Sequence, residues 1–354
     1  MRKTAVYRDT LFLEHNPGSG HVESPDRLRV IYDELDKEET GRHLVYPGFD
    51  PAPLDTIALN HSPQLVKRVA ETSGQSHDYL DADTQTSARS FDAACLAVGS
   101  VIDGIQKITD REVDNAFCLV RPPGHHAEHH RSMGFCLFNN VAVAAKWAIE
   151  NLGLERICIV DWDLHHGNGT QHSFYNSKEV VYCSTHQYPY YPGTGSVMEV
   201  GEGEGEGYTL NVPLPGGQGD EEYVRIFQDL FVPVFREYKP QFILVSCGFD
   251  IYDGDPLGSM RVTPTGFAAM TRILQNLADE VCEGNILVTL EGGYNLTGMR
   301  DGALAVLTEL HGEVLNPSYP DFSPGTLLPG RSDSKDVQQF LVQALDLAKN
   351  YWKM

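Results

Sequence analysis

Residues 156–169, Arg156-Ile-Cys-Ile-Val-Asp-Trp-Asp-Leu-His-His-Gly-Asn-Gly169, decide how the chain is read. Ile157, Ile159 and Val160 form a short β-branched apolar run, the signature of a strand buried in a parallel sheet. The chemistry changes where that run ends. Asp161, Asp163 and His165 follow at every second position, with His166 and Asn168 just behind. Strand-like alternation points the first three to one side. Two carboxylates and an imidazole converging there would be poorly solvated unless a cation sat among them. A solvated turn with a helix cap explains one aspartate but not the set.

Outward from this stretch the sequence alternates. Apolar runs at about 116–120, 156–160, 179–184, 241–247 and 285–290 read as strands, and 139–152, 220–238 and 264–282 read as helices between them. Before them lie an irregular opening, a helix over 24–37 capped at Ser24-Pro25, a second helix from Ser62-Pro63 to about 72, and a third over 87–108. Such alternation implies right-handed crossovers and a parallel sheet with helices on both faces. No linker divides the chain, so the expectation is one α/β domain over 1–354. The alternating Gly/Glu run 201–207 reads as a solvated excursion.

Every unusual polar cluster comes after one of these strands. His125-His126, the Asp/His stretch, Ser184-Thr-His186, Asp250 and Glu291-Gly-Gly-Tyr294 each stand just behind an apolar run. Ligand crevices in open parallel sheets lie outside the carboxyl ends of the strands, so five segments deliver reactive groups to one edge.

Composition bounds the partners. A formal charge of −22 leaves nothing to neutralise phosphates, which argues against nucleic acid. The acidic surface suits cationic substrates such as lysine-rich peptides or polyamines, although solubility alone is the better explanation of it. No run of 18 apolar residues exists, and the first residues lack the apolar core of a secretory signal, so neither a membrane span nor export is expected. Seven cysteines, an odd number without a Cys-x-x-Cys pair, indicate no disulfide framework and a cytoplasmic, reducing setting. Cys136 and Cys247 read as buried thiols. The oligomeric state stays open, a homo-oligomer included.

Arg121-Pro-Pro-Gly-His-His-Ala127, Gly134-Phe-Cys136, Asp161-Trp-Asp-Leu-His-His-Gly167, Gly248-Phe-Asp250 with Gly254-Asp-Pro256, and Gly292-Gly-Tyr-Asn295 resemble, in order, the motifs of the zinc-dependent histone deacetylase superfamily. That superfamily includes bacterial histone-deacetylase-like amidohydrolases and acetylpolyamine amidohydrolases. The likeness runs from about Glu14 to Gly312. It implies an arginase-like fold with a single eight-stranded parallel sheet. It also implies Zn²⁺ held by Asp163, His165 and Asp250, a set that Fe²⁺ or Co²⁺ would also suit. By the same resemblance Asp161 orients His125 and Asn168 orients His126, making His126 the general base and later the acid. Tyr294 would donate to the oxyanion. The carbonyls of Asp161, Asp163 and His165, with the Ser184 hydroxyl, would hold a structural K⁺.

Phe135 and Tyr191 match the aromatics that sandwich the acyl-lysine methylenes, beside Gly134. Tyrosine at 191 replaces the more usual phenylalanine. Asp83 either holds the substrate backbone at the rim or caps a helix, and Arg27 matches an arginine lining an internal pocket for acetate exit. Trp162 and Asn168 resemble the class II and bacterial branch. Acetylpolyamine specialists carry an acid at the tunnel mouth where this chain has Leu257, which favours acyl-lysine in peptides or proteins over acetylpolyamines. A manganese ureohydrolase would need further aspartates for a second metal, and a non-catalytic acyl-lysine binder would not need every reacting group.

Overall fold

The structure is a computed structural model that describes residues 1–315 and 335–354. Its centre is a parallel sheet of seven strands among the described residues: β1 (Thr4–Tyr7), β2 (Asn115–Cys118), β3 (Ile157–Asp161), β4 (Val180–Gln187), β5 (Thr209–Leu214), β6 (Phe242–Cys247) and β7 (Ile286–Leu290). Their order across the sheet is β1-β2-β7-β6-β3-β4-β5. β3, β6 and β7 are buried throughout, which is why they read as unbroken apolar runs. Helices Asp26–Leu35, Pro264–Val281 and Leu296–His311 pack together in one flanking layer, and Ser90–Thr109 with Asn140–Leu152 in another.

The count of seven corrects the eight strands that the resemblance implied, and the two strands not anticipated from sequence are the two edges. β1 spans four residues between charged neighbours, too short to show a period. β5, Thr-Leu-Asn-Val-Pro-Leu, carries Pro213, which tells against a central strand but is tolerated at an edge. A small antiparallel hairpin, Asp78–Tyr79 with Gln85–Thr86, lies outside the sheet.

Helix ends differ in detail. Pro25, not Ser24, occupies the first cap, and Ser24 gives its carbonyl rather than its hydroxyl to the Arg27 amide. At the second helix (Pro63–Ala70) the Ser62 hydroxyl accepts from the Leu65 amide as expected, 3.2 Å. The 220–238 run is helical with a π-turn over Phe227–Phe231. The Gly/Glu run is exposed at 202–204 and 206 but anchored rather than free: Gly205 and Gly207 are buried, and the Glu202 amide bonds the Tyr175 carbonyl at 2.8 Å. All seven cysteines are free and buried. Burial pushes the Cys136 and Cys247 thiols well up, so neither is a reactive thiolate.

Parallel register aligns the strand ends. Asp161, the last residue of β3, lies opposite Ser184 of β4 and Ser246 of β6, and Ser246 lies opposite Thr289 of β7. The loops leaving these strands therefore emerge at one edge. No described helix is long and apolar enough to cross a membrane.

Candidate active site and metal centre

At that edge Asp163, His165 and Asp250 converge, with one potential ligand atom from each lying within 4.8 Å of the others. His165 Nδ1 is 3.2 Å from Asp163 Oδ1 and 3.2 Å from Asp250 Oδ2. All three residues are buried. Backbone donors fix the carboxylates: the Gly292 amide reaches Asp163 Oδ2 at 2.8 Å and the Leu164 amide reaches Asp250 Oδ1 at 2.9 Å. Gly292 has no alternative, because a Cβ there would lie 2.4 Å from Asp250 Oδ2 and 2.6 Å from Asp163 Oδ2.

The electrostatics describe a cation site. Burial and the Asp163 charge push Asp250 up to about 7. Burial opposes ionisation of Asp163 too, but His125 and His165 hold it low. Burial would lower His165, yet its bonds to both carboxylates lift it to about 9. Two buried carboxylates thus share one site at a cost that only positive charge offsets. A divalent ion would take the place of the proton on His165 and let both aspartates ionise, so the donor set fits such an ion.

The tandem histidines differ sharply. His125 Nδ1 is 3.0 Å from Asp161 Oδ2, which also accepts from the Tyr182 hydroxyl at 3.1 Å. Burial disfavours its charged form, but Asp163 and Asp161 outweigh this and raise it to about 10. His126 Nδ1 is 2.7 Å from Asn168 Oδ1. Burial, together with the charges of His125 and His165, drives His126 well below the usual imidazole range. One ring is held as a cation and its neighbour as a neutral acceptor.

A cavity of about 130 Å³ opens above them, lined among others by His125, His126, His165, Gly292 and Tyr294. The expected substrate residues Asp83, Gly134, Phe135, Tyr191 and Leu257 line it as well. The Tyr191 ring stands edge-on to His126, centroids 5.2 Å apart, and Phe135 meets Tyr294 edge-on at 6.0 Å. Gly134, at φ +57°, leaves no room for a side chain, since a Cβ would fall 2.4 Å from the His126 ring. Asp83 caps no helix: its Oδ1 accepts from the Gly134 amide (3.0 Å) and the Thr84 hydroxyl (2.8 Å). Ser184 sits beside Asp161 in register, but its hydroxyl is 2.9 Å from His186 Nδ1.

Three supporting residues have no role, or a different one, in the sequence reading. Glu291 is buried; its Oε2 accepts from the Gly124 and His125 amides (2.7 and 3.1 Å) and its Oε1 from the Ser246 hydroxyl (3.0 Å). Asp255 Oδ2 accepts from the Tyr294 and Asn295 amides at 2.7 and 3.0 Å. Arg27 donates to the Gly293 and Glu291 carbonyls and to Glu23 Oε1, and lies 5.0 Å from the Tyr294 ring centroid. A carboxylate beside a Gly-Gly pair was the available signal for Glu291. Asp255 stands inside the Gly254-Asp-Pro256 motif but grips amides 39 and 40 residues on, and Arg27 pairs locally with Glu23 (2.8 Å) while its carbonyl partners are far away in sequence.

This edge carries a donor triad that fits a divalent ion, two adjacent histidines with opposite charge preferences and a phenol around one narrow cavity. The histone deacetylase domain model matches residues 21–310, and the chain belongs to that family. A probable deacetylase from Archaeoglobus fulgidus is 42% identical over 290 residues, covering 81% of this chain and 80% of its own. Histone deacetylase 15 of Arabidopsis thaliana is 42% identical over 325 residues, 88% of this chain and 57% of its own. Histone deacetylase HDA1 of Saccharomyces cerevisiae is 42% identical over 359 residues, 94% and 49%. The chain thus spans about half the length of these plant and fungal relatives. The crystal structure of the HDA15 HD domain superposes with a TM-score of 0.90 at 38% identity, covering 99% of this chain and 95% of that one.

Proposed function

We propose that the chain is a single arginase-like catalytic domain that deacetylates N-ε-acyl-lysine in peptides or proteins with the help of one bound divalent metal ion. One observation carries the reading: His165, which clusters with Asp163 and Asp250, lines the cavity that His126 and Tyr294 also line. Those three side chains would hold the ion, with Zn²⁺ the best match and Fe²⁺ or Co²⁺ alternatives. When bound, such an ion supplies Lewis acidity toward the acyl carbonyl and brings the pKa of water to about 7.

The protein's own groups do the rest. The neutral ring of His126 takes the proton from the attacking water and later returns it to the leaving amine. His125, held protonated by Asp161, adds positive potential beside the developing oxyanion. Tyr294 keeps its phenolic proton, because burial raises it well above its usual value, and donates it as a hydrogen bond to that oxyanion. Phe135 and Tyr191 flank the substrate methylenes and exclude water. The Asp161, Asp163 and His165 carbonyls with Ser184 are assigned to a structural K⁺, and the free buried thiols support a reducing, cytoplasmic setting.

The test is acetate release from an acetyl-lysine peptide, run against longer acyl-lysines and acetylpolyamines with bound metal quantified. Release that stops on chelation and returns with metal is expected. Turnover indifferent to chelation would overturn the reading.

A further inference from the structure

An asparagine orients a histidine only as well as it is itself oriented. Its amide carries an acceptor at one end and a donor at the other, and a flip of the group exchanges them. Asn168 Oδ1 faces His126 Nδ1 at 2.7 Å, and Asn168 Nδ2 faces Glu128 Oε1 at 2.5 Å. The other neighbours of Nδ2 are weak, the His126 carbonyl at 3.4 Å and Met133 Sδ at 3.6 Å. Glu128 is held from the far side by His172, whose Nδ1 lies 2.8 and 3.0 Å from its two carboxylate oxygens. Its backbone is anchored too, through the Arg131 carbonyl at 2.8 Å and His61 Nδ1 at 2.9 Å.

The donor and acceptor roles run in one direction along this row. An ionised carboxylate only accepts, so it claims the amide N–H of Asn168. The Asn168 carbonyl must then point at His126 and can only accept, so Nδ1 of His126 carries the hydrogen. Nε2 is left with its lone pair free. We infer that Glu128 is a positioning residue that sets the tautomer of His126 through Asn168 and so makes that ring a base toward the cavity. The inference rests on the reading of His126 as general base. It concerns a residue that does not line the cavity and touches neither substrate nor metal ligand.

The experiment exchanges the two partners. Glu128→Gln offers an amide whose own N–H can turn Asn168 round, so kcat should fall about tenfold with KM little changed, the usual cost of losing an outer hydrogen-bond partner. Asn168→Asp places two carboxylates face to face and should also lower kcat. The double exchange, Asn168→Asp with Glu128→Gln, lets the new amide at position 128 donate to the new carboxylate at position 168, which can again only accept from His126 Nδ1–H, and kcat should recover to within a few fold of the parent. ¹⁵N spectra of histidine-labelled protein, with the His126 signals assigned by comparison with His126→Gln, should show Nδ1 protonated in the parent and the double exchange. Glu128→Gln alone should show a tautomer mixture, in metal-free protein as well as metal-loaded.

If the two losses multiply in the double exchange, or if the His126 tautomer is the same in all variants, Glu128 is a structural residue and the inference fails. If His126→Gln retains full turnover, the general-base reading fails instead, while the ¹⁵N result still decides what Glu128 does.

Discussion

The floor and the rim of the cavity are assembled differently. Asp161, Asp163, Asp250 and Glu291 lie within a few residues of a β-strand end, are buried, and take hydrogen bonds from backbone amides, and buried His165 bonds Asp163 and Asp250. Asp83, Phe135, Tyr191 and Leu257 sit on loops, are part-exposed, and are joined mainly to other loops. The floor therefore has its geometry imposed by sheet register, and the rim has its geometry set by contacts that a few substitutions would redraw. Chemistry should be intolerant of change at the floor, and substrate choice should be tunable at the rim.

The largest effect is expected at the metal ligands. Asp250→Ala should abolish both turnover and tight metal retention, read by metal analysis of the purified protein alongside acetate release. A rim substitution with an equal loss of metal would erase the distinction. Next, Tyr294→Phe should lower kcat by roughly 10²–10³ while peptide still binds, the usual loss for one oxyanion donor. An unchanged kcat would remove Tyr294 from the mechanism.

Acid should then reach the supports of the floor before its chemistry is altered. Burial lowers His61 to about 4, and its Nε2 accepts from the Asn139 amide at 2.8 Å. The folded state thus binds this proton less readily than the unfolded chain, whose value is about 6.5. Stability is fully present above that value and declines as pH falls toward 4, by up to about 3 kcal/mol from this group. Denaturant midpoints between pH 7 and 4.5 measure the slope, and His61→Gln should flatten it; an identical slope in that variant would assign the acid loss elsewhere.

The smallest effect is expected at the rim. Leu257→Glu should shift kcat/KM several-fold toward acetylpolyamines relative to peptide, since a carboxylate at the mouth attracts a distal ammonium, and raised salt should erase the gain. A collapse of kcat for both substrates would mean that the rim is as constrained as the floor.

The same division explains what the sequence disclosed. The floor was legible because each reactive group comes after an apolar run, as Asp161 does after Ile157–Val160, and a run buried on both faces carries its own signal. β1 and β5 escaped because an edge strand needs neither length nor a continuous apolar pattern, and Pro213 is tolerated there. Residues that act by holding others were legible only in part. Asn168 stands next to its motif. Arg27 has Glu23 four residues before it, but the Gly293 carbonyl that it grips is 266 residues away. Asp83 lines the cavity, and its attachment to Gly134 depends on a hairpin too short to be foreseen.

That attachment has a mechanical meaning. Asp83 grips the Gly134 amide, Thr84 grips the Phe135 amide, and Arg131 closes onto Asp81, so the hairpin and the Phe135 loop form one braced wall. The Tyr191 wall is tied to the same brace by the side-chain hydrogen bond between Tyr191 and Asp83, and the neighbouring Tyr190 hydroxyl holds the Leu257 carbonyl. A guest broader than a lysine stem would press on both sides at once, because a single carboxylate, Asp83, ties the two jambs together.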